Sequence, residues 1–247
     1  MLTLKGRVCV FAGATGEIGK GAVRALAEQG MHVIMVTHNP EKAGDIVAEL
    51  KEQPGQVVAV GNDTCNEEIF RKIVSVFGSL DVVISATGGM RKAAKPEDIS
   101  DELLDAKLHH QVTESYRMIR DALPYLEKSG HARVILVSST GAVDGFLGEN
   151  IADSIARGGV ISMTYSLAQS LAVRRITVNC IARGGMINDH TPQTAEDYDV
   201  TAVAYQIPLG HIGTAEEFGA MVQYIASEEA DYVTGHVFNL SGGLHIG

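Results

Sequence analysis

Seven short runs dense in β-branched residues recur along the chain, and longer stretches of helical periodicity separate them. The runs are "RVCVFA" (7–12), "HVIMVT" (32–37), "QVVAVG" (56–61), "DVVISA" (81–86), "RVILVSS" (133–139), "ITVNCIA" (176–182) and "HVFNLS" (236–241). Strands joined through helices return in the same direction, so the expected sheet is parallel and covered on both faces. Helix ends are legible in places. Ile18, Ala22 and Leu26 mark the apolar face of a first helix stopped by Gly30, and Thr64 with Glu67 and Thr214 with Glu217 have the spacing of capping boxes. No linker, repeat or low-complexity tract interrupts the alternation, so residues 1–247 read as one domain, with Gly145 to Asn150 and Met186 to Asp199 as its most mobile loops.

Composition narrows the function. Hydrophobic residues make up 45%, yet no apolar run is long enough to span a bilayer, and Met1 to Lys5 leads straight into a strand without a secretory leader. The expectation is a soluble, cytoplasmic protein. A net charge of −10 works against general phosphate-backbone binding, which rests on clustered Lys and Arg, so no nucleic-acid partner is expected. Cys9, Cys65 and Cys180 are isolated, without zinc spacing, and read as reduced thiols.

The run "VFAGATGEIGKG" (10–21) is a strand, a glycine-rich turn and a helix start, an arrangement whose N–H groups and dipole can receive a pyrophosphate. The same glycines also serve a sharp turn and close helix packing. In an open sheet of this kind ligands lie beyond the carboxyl ends of the strands, here near Gly13 to Gly19, Thr87, Ser139 and Gly184. The fold class is therefore α/β, a Rossmann-type doubly wound parallel sheet.

With "LDVVISATGG" (80–89), "RVILVSSTGA" (133–142), "ITVNCIARGG" (176–185), "IPLGHIGTAEEFGAMVQYIASEEADYVTG" (207–235) and "FNLSGG" (238–243) in order, the chain resembles the short-chain dehydrogenase/reductase family over essentially its whole length. The likeness is strongest to 3-oxoacyl-thioester reductases and hydroxyacyl-CoA dehydrogenases. It implies a dinucleotide held at Gly13 and Gly19, an adenine contact at Asp63 and a nicotinamide-side turn ending at Gly88. It also implies a catalytic set at Ser139 (or Ser138, one step away), Asp153, Arg157 and Gln111.

Several of these positions depart from the family pattern. Glu17 stands in the glycine turn. Facing a pyrophosphate at about 4 Å it would cost roughly 4 kcal/mol at an effective dielectric near 20; pointing to solvent, it sits where negative charge is mildly favourable, and Gly16 beside it restores backbone freedom. Both orientations stay open. After the second strand Thr37 and His38 replace the acidic residue that selects NAD, which tilts any binding towards NADP. Ser85, Ala86, Thr87 and Gly88 replace the family's N-N-A-G, so the small turn survives with different hydrogen bonding. The family's general-acid tyrosine and its lysine have become Asp153 and Arg157, the water-holding asparagine has become Gln111, and a proline has become Arg183. Ser139 is retained, although a strand-end serine also caps backbone.

A reductase must hand a proton to a developing alkoxide. A free Asp titrates near about 3.9, and an adjacent Arg lowers that by roughly 1 to 3 units. Asp153 therefore has nothing to donate, and with Arg157 it reads as an i,i+4 pair on a helix face worth roughly 0.2–0.5 kcal/mol. Arg183 either fills the vacant site, pairs with Glu17 or binds an anion. His109, His110, His190, His211 and His236 read as solvated or loop histidines. The pattern of losses resembles the inactive subunit of heteromeric hydroxyacyl-CoA dehydrogenases, such as that of anaerobic benzylsuccinate (toluene) degradation. It implies a non-catalytic subunit, no bound cofactor, no metal, and an active paralogue as partner in a heterotetramer. Association would run through Asp101 to Lys128, Ile151 to Val173 and the last helix and strand. The competing expectations are an NADP- or NAD-dependent 3-oxoacyl or carbonyl reductase with a rearranged proton donor, and a ligand-binding module that kept the pocket.

Overall fold

The computed structural model describes residues 2–61, 66–88, 95–145, 151–187 and 206–247. Seven strands, β1 (Val8–Ala12), β2 (His32–Thr37), β3 (Val57–Gly61), β4 (Val82–Ser85), β5 (Arg133–Ser139), β6 (Thr177–Arg183) and β7 (Val237–Leu240), form one parallel sheet in the order β3-β2-β1-β4-β5-β6-β7. The helices are α1 (Glu17–Glu28), α2 (Pro40–Glu49), α3 (Glu67–Phe77), α4 (Asp101–Leu108), α5 (Glu114–Leu126), α6 (Gly141–Asp144), α7 (Ile151–Leu171) and α8 (Ala215–Ala226).

Alternation along the strands divides the core in two. Cys9, Phe11, Val33, Met35 and Ile181 face α1, α2 and α8 through Ala22, Leu26, Ile46, Phe218 and Val222. Val8, Val10, Ile34, Val134 and Val178 face α3, α5 and α7 through Phe70, Ile73, Ile119, Val160 and Leu171. This period of two is what a strand buried on both faces requires. Cys9 and Cys180 lie in these layers as free thiols; burial raises both, Cys180 to about 12, so neither is a reactive nucleophile.

The Thr214–Glu217 capping box forms reciprocally. The Thr64–Glu67 box does not open α3: the cap is Asn66, whose side chain accepts from the Ile69 N–H. Thr64 lies outside the described residues, as do Asp63, Cys65, His190, residues 146–150 and residues 188–199 of the loops expected to be mobile. Among the described residues no helix is long and apolar enough to cross a membrane, and no group of His, Cys, Asp or Glu is arranged to hold a metal.

The strand order reverses between β1 and β4, which opens a crevice at their carboxyl ends. Gly13, at φ 86°, makes that approach possible, since a Cβ there would lie 2.5 Å from the Ala86 carbonyl oxygen after β4.

Candidate active site

At the mouth of the crevice α1 begins with Gly16 as its cap residue, and no side chain caps it. Glu17 occupies the first helical position and is exposed. Gly19 packs against the turn itself, where a Cβ would come within 2.6 Å of the Gly13 carbonyl oxygen. The two glycines shared with the family pattern are thus demanded by packing. After β2, Thr37 is buried and its hydroxyl accepts from the Asn39 N–H, while Asn39 caps α2 through Lys42; His38 is exposed. The residues at this tip are occupied with shaping the turn.

The turn after β4 is held by hydroxyls. Ser85 Oγ lies 2.7 Å from Ser115 Oγ, Thr87 Oγ1 donates to the His110 carbonyl at 2.9 Å, and Ser115 Oγ donates to the Gln111 carbonyl at 2.7 Å. The carbonyls they reach belong to a π turn, His109–Thr113, which interrupts the helix between α4 and α5. A π turn widens the helix and frees carbonyls from their usual partners, and it often marks a functional position. This one carries Gln111, 1% exposed, inward.

Gln111 meets the substituted acid–base pair. Its Nε2 donates to Asp153 Oδ1 at 2.7 Å, Lys107 Nζ approaches the same oxygen at 3.4 Å, and Arg157 Nε lies 3.8 Å from Oδ2. The Arg157 guanidinium donates from Nη1 to the Val137 carbonyl at 2.9 Å and presses Nη2 against Gly88, so that no Cβ fits there. Asp153 and Arg157 are 6% and 5% exposed, so the i,i+4 pair expected on a helix face lies on a buried one. A buried carboxylate is tolerated only where cations and donors surround it. That is what three elements, α4, the π turn and α7, supply.

The serines divide. Ser138 is not interchangeable with Ser139, because its hydroxyl is fully buried and donates to the Arg157 carbonyl at 3.0 Å. Ser139 ends β5, accepts from the Gly141 N–H at 3.2 Å and pairs in register with Arg183, which ends β6. Gly184 follows, with no room for a side chain against Ser241. His109 and His110 point outward on the other side of the π turn, each 3.4 Å from an oxygen of Glu114. Lys107 is the site residue that sequence reasoning missed. The available signal was its position four residues before Gln111, one helical turn away on the same face.

Comparison with known proteins agrees with this geometry. The family described as "Enoyl-(Acyl carrier protein) reductase" matches residues 13–245. The 3-oxoacyl-[acyl-carrier-protein] reductase FabG of Thermotoga maritima is 32% identical, covering 99% of this chain and all of its own. The enzyme of the same name from Vibrio cholerae is 31% identical at the same coverage. Among solved structures, a short-chain dehydrogenase/reductase from Serratia marcescens superposes with a TM-score of 0.89 at 24% identity, covering 98% of both chains. A Pseudomonas aeruginosa RhlG/NADP active-site complex gives 0.88 at 26%, covering 99% of this chain and 98% of that one.

Proposed function

The chain belongs to the short-chain dehydrogenase/reductase family, and we propose that within it this protein is a non-catalytic subunit. Its partner would be an active relative, in a heteromeric 3-oxoacyl reductase or hydroxyacyl-CoA dehydrogenase such as that of anaerobic benzylsuccinate degradation. One observation carries the reading. The side chain at the proton-donor position is a buried carboxylate whose Oδ1 accepts from an amide and faces an ammonium. An oxygen so engaged has no proton to give to an alkoxide, and its companion Arg157 donates to the Val137 carbonyl and lies beside Gly88.

The dinucleotide side supports the same conclusion. Members of the family typically use NAD or NADP, and the pyrophosphate would lie over the uncapped start of α1, where Glu17 places a negative charge in the first turn. Thr37 and His38 after β2 leave no acidic residue to select NAD, and Arg157 crowds the turn at Gly88. Glu17 and Arg157 do not fit a bound dinucleotide. The subunit reading also draws support from Tyr116 on α5 and Ile155 and Tyr165 on α7, which are about half exposed, the kind of apolar side chains that a subunit interface covers.

A second reading, an NADP-dependent 3-oxoacyl or carbonyl reductase with a rearranged donor, draws on one feature, the Lys107 ammonium beside Asp153. Calorimetric titration of the isolated chain with NADH and NADPH separates the two. Absence of measurable binding, together with co-purification of a co-expressed active paralogue as a mixed oligomer by native mass measurement, is the expected outcome. Micromolar cofactor affinity with thioester reduction would sink the subunit reading.

A further inference from the structure

Among the described residues, charged groups reach Asp153 from two directions that differ in kind. Arg157, on the same helix, has its nearest nitrogen beyond hydrogen-bond reach at 3.8 Å, and its guanidinium is directed to the Val137 carbonyl. Lys107 comes from α4 to the other carboxylate oxygen, the one that also takes the short bond from Gln111. The three charged side chains are nearly closed to solvent, at 13%, 8% and 6% exposure for Lys107, Asp153 and Arg157. With water this far removed, protein groups must balance the carboxylate.

We propose that Lys107 is a positioning residue whose ammonium keeps the Asp153 carboxylate ionised and fixed against Gln111, and so keeps the former proton-donor position closed to proton transfer. The proposal rests on the reading of the site as non-catalytic and adds the cause. The charged groups that the described residues set on Asp153 are Lys107 from α4 and Arg157 from α7; the π turn contributes the neutral amide of Gln111. Because Lys107 and Gln111 are one turn apart, a single carboxylate can receive both, and the spacing fixes the π turn against α7. The Gln111 Oε1 atom is buried without a protein partner among the described residues, so the amide is oriented by the single bond it donates to Asp153.

The test is carboxyl carbon NMR on protein labelled at the aspartate side-chain carboxyl carbon, with Asp153→Asn identifying the resonance. In the wild type the Asp153 signal should stay at its ionised position down to the acid limit of the fold. In Lys107→Met it should titrate with a proton affinity raised tenfold to a thousandfold, the range that an opposite charge within about 4–6 Å controls. Lys107→Arg should restore the wild-type behaviour, which a merely space-filling role would not require. An Asp153 titration unmoved in Lys107→Met, within about twofold on the same scale, overturns the proposal and leaves Arg157 as the controlling charge. Should Lys107→Met fail to fold, Lys107→Gln, which removes the charge and keeps a polar head, takes its place on the same titration with the same two outcomes. The outcome is independent of turnover, so an active wild type would defeat the non-catalytic reading without deciding this titration.

Discussion

Replacing Asp153 with Asn should cost the protein about 3–5 kcal/mol of stability, the range for removing one member of a buried ion pair. Asn preserves the volume and an oxygen that can still accept from Gln111 Nε2, so the change is confined to the charge. What is lost is the counter-ion of two cations, at 3.4 Å for Lys107 and 3.8 Å for Arg157. At an effective dielectric near 20 these attractions are each worth roughly 4–5 kcal/mol before desolvation. Removing the carboxylate also recovers several kcal/mol that its burial cost, which brings the net effect into the stated range. In a chain of this length, roughly 2–4 °C of midpoint accompanies each kcal/mol, so the thermal shift should be about 6–20 °C. Urea unfolding followed by circular dichroism, with the slope checked for constancy, measures the free energy directly. A loss below about 1 kcal/mol would mean that the cluster is hydrated and behaves as a surface pair, and the argument from burial would fail.

Three further outcomes are expected. Gly13→Ala, at positive φ and with its Cβ 2.5 Å from the Ala86 carbonyl oxygen, should destabilise the fold by more than about 2 kcal/mol. Gly16→Ala, with open space around its Cβ, should change stability by under about 1 kcal/mol, and equal urea midpoints for the two variants would contradict the packing account of this turn. Asp153→Tyr combined with Arg157→Lys should not yield acyl-thioester reduction, because Glu17, Gln111 and Arg183 remain as they are and such constellations act as a unit; turnover in a coupled assay would show otherwise. Glu229 is held at about 2, from 4.5, first by the backbone N–H of Thr3. A lowered folded value means that the interaction is complete above pH 4.5 and lost as the pH falls through about 2. The difference in urea midpoint between wild type and Glu229→Gln should therefore shrink across that window, and a difference constant with pH would reject the assignment.

The sheet was legible because its signal is dense: each buried strand is a near-continuous apolar run, and each turn after it carries Gly, Ser or Thr at a fixed place. The Thr214 cap was legible for the same local reason. At α3 the spacing of Thr64 and Glu67 points to Thr64 as the cap, but spacing alone does not fix the residue at which the helix starts. The structure places the cap at Asn66. The π turn was invisible because residues 101–126 keep apolar positions on both sides of it, so a single inserted residue changes only the phase of the pattern. The burial of Asp153 and Arg157 was hidden by α7 itself, where apolar and small residues run almost all round the helix and no polar face identifies the inside.

The altered positions also explain one another once the geometry is known. Asp153, where the family resemblance places a tyrosine, introduces a buried negative charge, which Arg157, turned towards the Val137 carbonyl, meets at 3.8 Å. Lys107 supplies the second cation. The longer amide of Gln111 reaches from the π turn to the carboxylate oxygen at 2.7 Å, a task for which its length suits it. Arg157 in turn occupies the space against Gly88 on the turn after β4. Among the described residues the set forms one connected electrostatic network. Removing Asp153 alone should lower stability before it restores any chemistry, because it leaves Lys107 and Arg157 buried without their shared counter-ion.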